Sequence, residues 1–218
     1  VNIYEVEGTQ YRYIFYDESN GYYRKSTMYR QGEINPTEDA LLSQTKLNQQ
    51  YKSAEDSPLG VEDRRIFTEK GGHPFFPVNP AFRIEADFKV FKKPEVIGMK
   101  TSTSRIASYS IYGEASLVLN GEEVKLLLYR NQNPKYADHL FLPFTDLTNG
   151  EETYGGGRYI DLEIPGDTDK IVIDFNKAYQ PYCAYTYGYS CPIPPQENTM
   201  TVRVEAGVKH LELSDDHH

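Results

Sequence analysis

The stretch Ala115-Ser-Leu-Val-Leu-Asn-Gly-Glu-Glu-Val-Lys-Leu-Leu-Leu128 decides the fold. Asn120-Gly121 suits the two-residue turn whose central positions both need φ > 0, and it lies between two apolar runs, Ile106 to Leu119 and Val124 to Tyr129. With the turn there, Ala115, Leu117 and Leu119 share one side of a hairpin with Val124, Leu126 and Leu128. Upstream, Phe82, Ile84, Ala86, Phe88 and Val90 alternate with Arg83, Glu85, Asp87 and Lys89, the pattern of a strand with one dry and one wet face. Downstream, Phe141 to Phe144 reads as a short strand stopped by Thr145-Asp146 and Asn149-Gly150. Arg158 to Ile164 and Ile171 to Phe175 flank Pro165-Gly166-Asp167 and predict a second hairpin. A last alternating run, Met200, Val202, Val204 and Ala206, is expected to close the sheet. Strands in succession with short turns predict a mainly β protein, an antiparallel sandwich or barrel.

One or two peripheral helices precede this sheet. Asn35 as cap, Pro36 at the first helical position and Glu38 three residues after the cap start a helix. Its apolar stripe, Leu41, Leu42, Leu47 and Tyr51, is narrow, and it ends before Ser57-Pro58. A shorter helix is expected over Val61 to Phe67, and Gly71-Gly72-His73-Pro74 breaks the chain. Before Asn35, Tyr11 to Tyr16 and Tyr22-Tyr23 predict a hairpin around Asn20-Gly21. The expected organisation is an N-terminal extension over 1–34, a single β domain with an N-terminal helix over 35–210 and a tail over 211–218.

The 218 residues suffice for one sizeable core, and one domain is expected. A formal charge of −9 with no basic block repels phosphate backbones, so nucleic acid is not expected as a partner. No apolar run approaches the roughly 18 residues that a membrane-spanning helix requires. The chain begins at Val1, consistent with an upstream segment such as a cleaved signal. The terminal Asp215-Asp216-His217-His218 reads equally as a native tail or the stub of a purification tag.

One segment is too rich in unusual residues to be plain scaffold: Phe141-Leu-Pro-Phe-Thr-Asp146, Glu152-Thr-Tyr-Gly-Gly-Gly-Arg-Tyr159, Asp174-Phe-Asn176, Cys183-Ala-Tyr185, Cys191-Pro-Ile-Pro-Pro195 and Glu197-Asn198. With Ser57-Pro58-Leu59 and Phe75-Phe76-Pro77 upstream, this succession resembles the bacterial family catalogued as domain of unknown function 1684, over about residues 47–208. The resemblance implies no activity. Similar proteins often carry an export signal, which favours a periplasmic or secreted location over a cytoplasmic one.

Several chemistries are open to these residues. Gly155-Gly156-Gly157 before Arg158 either turns the chain tightly, with Arg158 paired to a structural acid such as Asp174, or offers an anion nest with a planar fork beside it. Asp146, Glu151, Glu152, Asp161 and Asp174 supply carboxylates for acid/base work if two converge. Asp161 and Glu163 share one face of their strand. An inward Asp174 needs a partner, for which Arg158 or Tyr179 would serve. Nineteen Tyr and no Trp suit partly wet surfaces, and Tyr179, Tyr182, Tyr185, Tyr187 and Tyr189 crowd one loop. They either form that loop's own small core or stack on a ligand. Cys183 and Cys191, at the ends of this loop, are free buried thiols, a disulfide, or, least in keeping with their spacing, metal ligands. His73 and His139 sit in no metal or triad spacing, and no Gly-x-Ser-x-Gly or HExxH occurs, which argues against a serine hydrolase or zinc protease. A Cys183 nucleophile with His139 would need a depressed thiol pKa.

The leading expectation is an accessory or small-molecule-binding β domain. Its pocket would be lined by Glu152, Tyr154, Gly156, Arg158, Asp174, Asn176, Tyr179 and Tyr185, with no metal and with the cofactor and oligomeric state left open. The alternatives are a hydrolase using Glu152, Arg158 and Asp174, and a protein-interaction module of the cell envelope that presents the Tyr-rich loop as a flat patch.

Overall fold

The computed structural model describes residues 35–166 and 168–213, together with three short strands at 2–5, 11–15 and 29–30. These strands, β1 (Asn2–Glu5), β2 (Tyr11–Phe15) and β3 (Tyr29–Arg30), pair in the order β1-β2-β3. The turn expected at Asn20-Gly21 and its partner Tyr22-Tyr23 lie outside the described residues, as does 214–218.

Helix α1 (Pro36–Lys52) begins at the expected cap: Asn35 Oδ1 accepts the Thr37 N–H at 2.9 Å, and Glu38 and Asp39 sit at the positive end of the helix dipole. It buries Ala40, Gln44 and Tyr51, with Leu41, Leu42 and Leu47 only half-buried, so its packed stripe is offset from the leucines. Helix α2 (Val61–Glu69) runs one half-turn further than expected and buries Phe67.

The main sheet comprises β4 (Arg83–Val90), β5 (Val96–Lys100), β6 (Ile106–Leu119), β7 (Glu122–Asn131), β8 (His139–Phe144), β9 (Arg158–Glu163) and β10 (Lys170–Asp174). They pair antiparallel in the order β10-β4-β6-β7-β8-β9, and β5 lies against the first half of β6, beside β4. Asn120 and Gly121 take φ 52° and 85°, and Leu117 faces Val124 while Ala115 faces Leu126, as the alternation requires. A bulge between Ile111 and Gly113 then reverses which face the odd residues occupy. Ala115, Leu117 and Leu119 point into the main core with Leu126, Leu128, Leu140, Leu142 and Ile160. Ala107 and Tyr109 point to the opposite face, with Met99, Tyr129, Phe141 and Tyr159.

The sheet is a curled half-barrel, and the chain length between β9 and β10 requires the curl. Laid flat, strands about 4.8 Å apart would set these two edges roughly 24 Å from each other. The link from Glu163 to Lys170 reaches about that far only when fully extended, and it folds back where the Thr168 N–H meets the Gly166 carbonyl at 2.8 Å. The hairpin expected from Pro165-Gly166-Asp167 is therefore not formed. β9 pairs with β8, and β10 pairs with β4, where Lys170 also meets Asp87 at 2.5 Å. The free edge of β9 is used once, by a two-bond bridge between Tyr159 and Tyr179. β5 is a strand that the sequence did not announce, since Gly98 interrupts its apolar run.

Met200, Val202, Val204 and Ala206 are all buried, as their alternation predicts, yet the segment pairs with no strand. Its backbone bonds go to loop groups and buried side chains instead. A third cluster joins the helices to the Tyr-rich loop and the chain end through Tyr51, Leu59, Phe67, Tyr185 and Leu213.

Candidate functional site

Most of the conspicuous residues close the fold. Arg158 has no exposed surface. Its fork donates to Asp146 Oδ2 at 2.8 Å, to the Val204 carbonyl at 2.8 Å and to the Ala206 carbonyl at 2.5 Å, and its guanidinium lies 5.3 Å from the Phe144 ring. Asp146 Oδ1 accepts the Thr148 and Val204 N–H groups at 2.9 and 3.1 Å. This buried pair thus supplies the bonds that a neighbouring strand would have given to 204–206. Burial lowers the Arg158 pKa and the Asp146 charge opposes that shift. The Arg158 fork expected at a pocket is sealed in the interior, and its acid is Asp146 rather than Asp174.

The glycines before it make a turn. Gly157, at φ +93°, donates its N–H to the Tyr154 carbonyl, and a Cβ there would meet the Phe144 carbonyl oxygen at 2.7 Å. Gly156 is exposed beside Tyr154, whose ring lies 6.0 Å from that of His210. Glu152 pairs with Arg203, both carboxylate oxygens within 2.6 Å of one guanidinium nitrogen. Asp174 caps a short turn, accepting the Asn176 N–H at 3.0 Å and its side-chain amide at 2.8 Å, with Arg83 4.0 Å away. Asn176 in turn exchanges two 2.9 Å bonds with the Asn79 backbone. Neither Arg158 nor Tyr179 partners Asp174. Asn198, also fully buried, bonds both backbone groups of Leu127 and the Pro143 carbonyl, bridging β7 and β8 where they share a single paired position.

Cys183 and Cys191 form a disulfide, which removes Cys183 as a nucleophile for His139. Tyr185 is buried against Tyr51 and His73, with its hydroxyl hydrogen-bonded to Gln180 at 2.7 Å. The Tyr-rich loop therefore divides: Tyr185 serves as its core, whereas Tyr182 and Tyr189 turn outward to a cleft, their rings 4.9 Å apart.

That cleft, about 520 Å³, lies over the outer face of β6 to β9. Its floor is a packed row of rings: Tyr109 stacks on Phe141 at 5.5 Å, and Phe141 meets Tyr159 edge-on at 4.8 Å. Tyr136 and Tyr189, 44% and 38% exposed, stand at the rim. Cross-strand register brings the polar groups together, because Phe141 faces Asp161 and His139 starts the same strand. Tyr179 donates to Asp161 Oδ2 at 2.8 Å, His139 Nε2 stands 3.5 Å from Asp161 Oδ1, and His139 Nδ1 stands 2.8 Å from Asp138. Desolvation in this concave setting raises the Asp161 pKa, against the lowering influence of the Tyr179 hydroxyl and His139. Burial, with the Asp161 charge beside it, raises that of Tyr179. The arrangement presents a carboxylate acceptor, an imidazole and flat apolar rings to one open space.

Of the residues singled out from the sequence, His139, Asp161, Tyr179, Tyr182, Tyr189 and Cys191 line this cleft; Glu152, Tyr154, Gly156, Arg158, Asp174, Asn176 and Tyr185 lie elsewhere. The sequence offers Asp161 only as one carboxylate among five and as a residue sharing a strand face with Glu163. The sequence points to His139 only as a partner for Cys183 and to Phe141 and Tyr159 only as members of the conspicuous segment, and it marks Tyr109 in no such way; the available signal is outward parity, since Tyr159 and Asp161 alternate with Ile160 and Leu162. No group of three or more His, Cys, Asp or Glu poised for a metal occurs among the described residues. No helix among them is long and apolar enough to cross a membrane.

The comparisons with known proteins agree with the architecture and name no activity. No curated protein matches the chain. A solution NMR structure of an uncharacterised protein from Haloarcula marismortui, gene locus rrnAC0354, is 32% identical, with a TM-score of 0.63 over 83% of this chain and 95% of that one. The family described as "Protein of unknown function (DUF1684)" matches residues 70–209. That span holds the whole main sheet, the buried Arg158–Asp146 pair and the floor of the cleft, and the chain belongs to the DUF1684 family.

Proposed function

We propose that this protein binds a polyhydroxylated small molecule in the cleft over β6 to β9, as a ligand-binding or accessory domain. The observation that carries this proposal is the Asp161 carboxylate, held by the Tyr179 hydroxyl at 2.8 Å and still 46% exposed, beside a floor of packed rings and an exposed aromatic rim. Sugar-like ligands offer a hydrogen-bonding edge for such an acceptor and an apolar face for such rings. The cavity volume falls in the range typical of small-molecule sites. The Cys183–Cys191 bond suits an oxidising compartment, which supports a periplasmic or secreted location. Saturation-transfer NMR with neutral oligosaccharides tests the proposal. Transfer that disappears in Asp161→Ala supports it, and no transfer from the wild-type protein to any of the sugars refutes it.

One observation favours an enzyme at the same place: the His139 ring stands between Asp138 and Asp161, with Nε2 3.5 Å from a carboxylate whose pKa is raised by desolvation. An enzyme of hydrolase type would then use Asp161 and His139, not Glu152, Arg158 and Asp174. Turnover of aryl glycosides that is lost in His139→Gln would establish it, and absence of turnover leaves a binding domain.

A further inference from the structure

The outer edge of β9 is closed at Tyr159 and open beyond it. In an antiparallel pair a residue turns its N–H and C=O to one edge, and its chain neighbours turn theirs to the other. Tyr159 exchanges both groups with Tyr179, at 2.8 and 3.0 Å, and opposite it in β8 stands Pro143, which has no N–H to donate. The register against β8 runs on without a shift, so Asp161 and Glu163 turn their backbone groups to the same outer edge as Tyr159. No hydrogen bond reaches those groups among the described residues. The chain that makes the bridge does not go on to cover them. An antiparallel continuation would set Lys177 against Asp161, but 175–177 is a turn, closed by the Ala178 N–H on the Phe175 carbonyl at 3.0 Å. The space left beside Asp161 is a second cavity of about 430 Å³, lined by Asp161, Lys177, Ala178 and Tyr179, and by Leu47 and Phe75.

We infer that the edge of β9 at Asp161 and Glu163 takes an extended peptide as an added strand, with Lys or Arg at alternate positions and an apolar residue between them. This goes beyond sugar binding and does not depend on it. In strand addition the backbone supplies the hydrogen bonds and alternate side chains supply the selection. Residues paired with Asp161 and Glu163 would share a face with these two exposed carboxylates, and opposite charges directly across a sheet attract whereas like charges repel. The nearby cations leave the carboxylates to the ligand: Lys177 is tied to Asp39 at 2.5 Å, Lys46 stands exposed on α1, and His139 also faces Asp138. The net charge of −9 favours the approach of a basic chain. A second copy pairing through this edge would set carboxylate against carboxylate, which disfavours a dimer here. Leu47, Phe75 and Ala178 in the cavity lining suit an uncharged side chain between the two basic ones.

NMR titration and amide exchange with three end-capped peptides test this: Val-Lys-Val-Lys-Val, Val-Glu-Val-Glu-Val, and the first peptide methylated at both lysine backbone nitrogens. Methylation keeps the charges and removes the donors that would face β9. At saturation the Lys peptide should slow exchange of the Asp161 and Glu163 amides about tenfold or more, and the Glu peptide should not bind. Backbone methylation should weaken binding about tenfold or more. Glu163→Lys, outside the lining of the aromatic cleft, should reduce affinity for the Lys peptide about fivefold and leave saturation transfer to sugars unchanged. Equal binding of the methylated peptide would overturn strand addition and leave a contact between charges alone. No binding of the Lys peptide would overturn it too, with the carboxylates then serving to guard the edge against pairing. Protection of both amides that grows with protein concentration in the absence of peptide would assign the edge to a second copy instead. Any of these results obtained with sugar transfer intact strikes the peptide site alone.

Discussion

Replacing Arg158 with Met keeps most of the side-chain volume and removes the fork. Asp146 is then left in the interior without its partner, and breaking a buried pair from one side costs about 3–5 kcal/mol. The Val204 and Ala206 carbonyls lose their donor as well, and each buried acceptor left unmet costs about 1–3 kcal/mol. These losses overlap because one side chain makes all three bonds, so the expected net is about 4–6 kcal/mol. Against a typical domain stability of about 5–15 kcal/mol, the variant would sit close to unfolding. Urea titration should show a much lower midpoint with unchanged slope. Amide exchange at Val204, whose N–H is held by Asp146 at 3.1 Å, should accelerate most, because the unpaired segment 200–206 loses its anchor. Arg158→Lys should recover only part of the loss, since an ammonium lacks the planar fork. A stability change under about 1 kcal/mol together with lost ligand binding would refute this reasoning and return Arg158 to a binding surface.

His73 is buried among Tyr51, Phe67 and Tyr185 with no hydrogen-bond partner at either ring nitrogen among the described residues, and desolvation pushes its pKa down to about 3. The unfolded chain therefore binds the extra proton first as pH falls from 6.5 toward 3, and stability drops by up to about 1.4 kcal/mol per pH unit in that window. His73→Leu should flatten this dependence in urea titrations at pH 5 and 7; an unchanged pH difference would contradict the assignment. Gly157→Ala should cost about 2–4 kcal/mol, from positive φ and contact with the Phe144 carbonyl, and a melting temperature equal to wild type would show that the turn relaxes. Joint replacement of Cys183 and Cys191 by Ser should cost about 2–3 kcal/mol through loop entropy, while intact-mass measurement with reductant should add two hydrogens to the wild-type chain. Ligand binding should weaken with falling pH from above the usual aspartate range, because the Asp161 pKa is raised and its charged form is the acceptor; a profile identical in Asp161→Asn would assign the titration to another group.

Local chemistry made much of the fold legible. The Asn35 cap, the Asn120-Gly121 turn and the period of two in β4, β6 and β7 each act over a few residues, and they appear as expected except at Val90, which is exposed at the end of β4, and at the bulge in β6. The hairpin between β9 and β10 failed because partner choice is decided across the sheet: a turn sequence at Pro165-Gly166 cannot report that β4 and β8 are better placed to pair. Met200 to Ala206 alternate like a strand because they bury one face, but their backbone partners are side chains distant in sequence. The same nonlocality hid the cleft. Unusual residues such as Arg158, Asp174, Asn176 and Asn198 drew notice by type, and they turn out to satisfy buried backbone groups where strands are lacking. Asp161 and His139 are ordinary residues on ordinary strands, and only the register of β8 against β9 brings them together.

Backbone chemical-shift mapping during an oligosaccharide titration is the measurement that separates the cleft from the buried clamps. The amides of Tyr109, His139, Asp161 and Tyr179 are predicted to shift with a common saturation curve, while those of Thr148, Arg158 and Val204 stay in place. Shifts confined to the second group, with the cleft unmoved, would contradict a ligand site over β6 to β9.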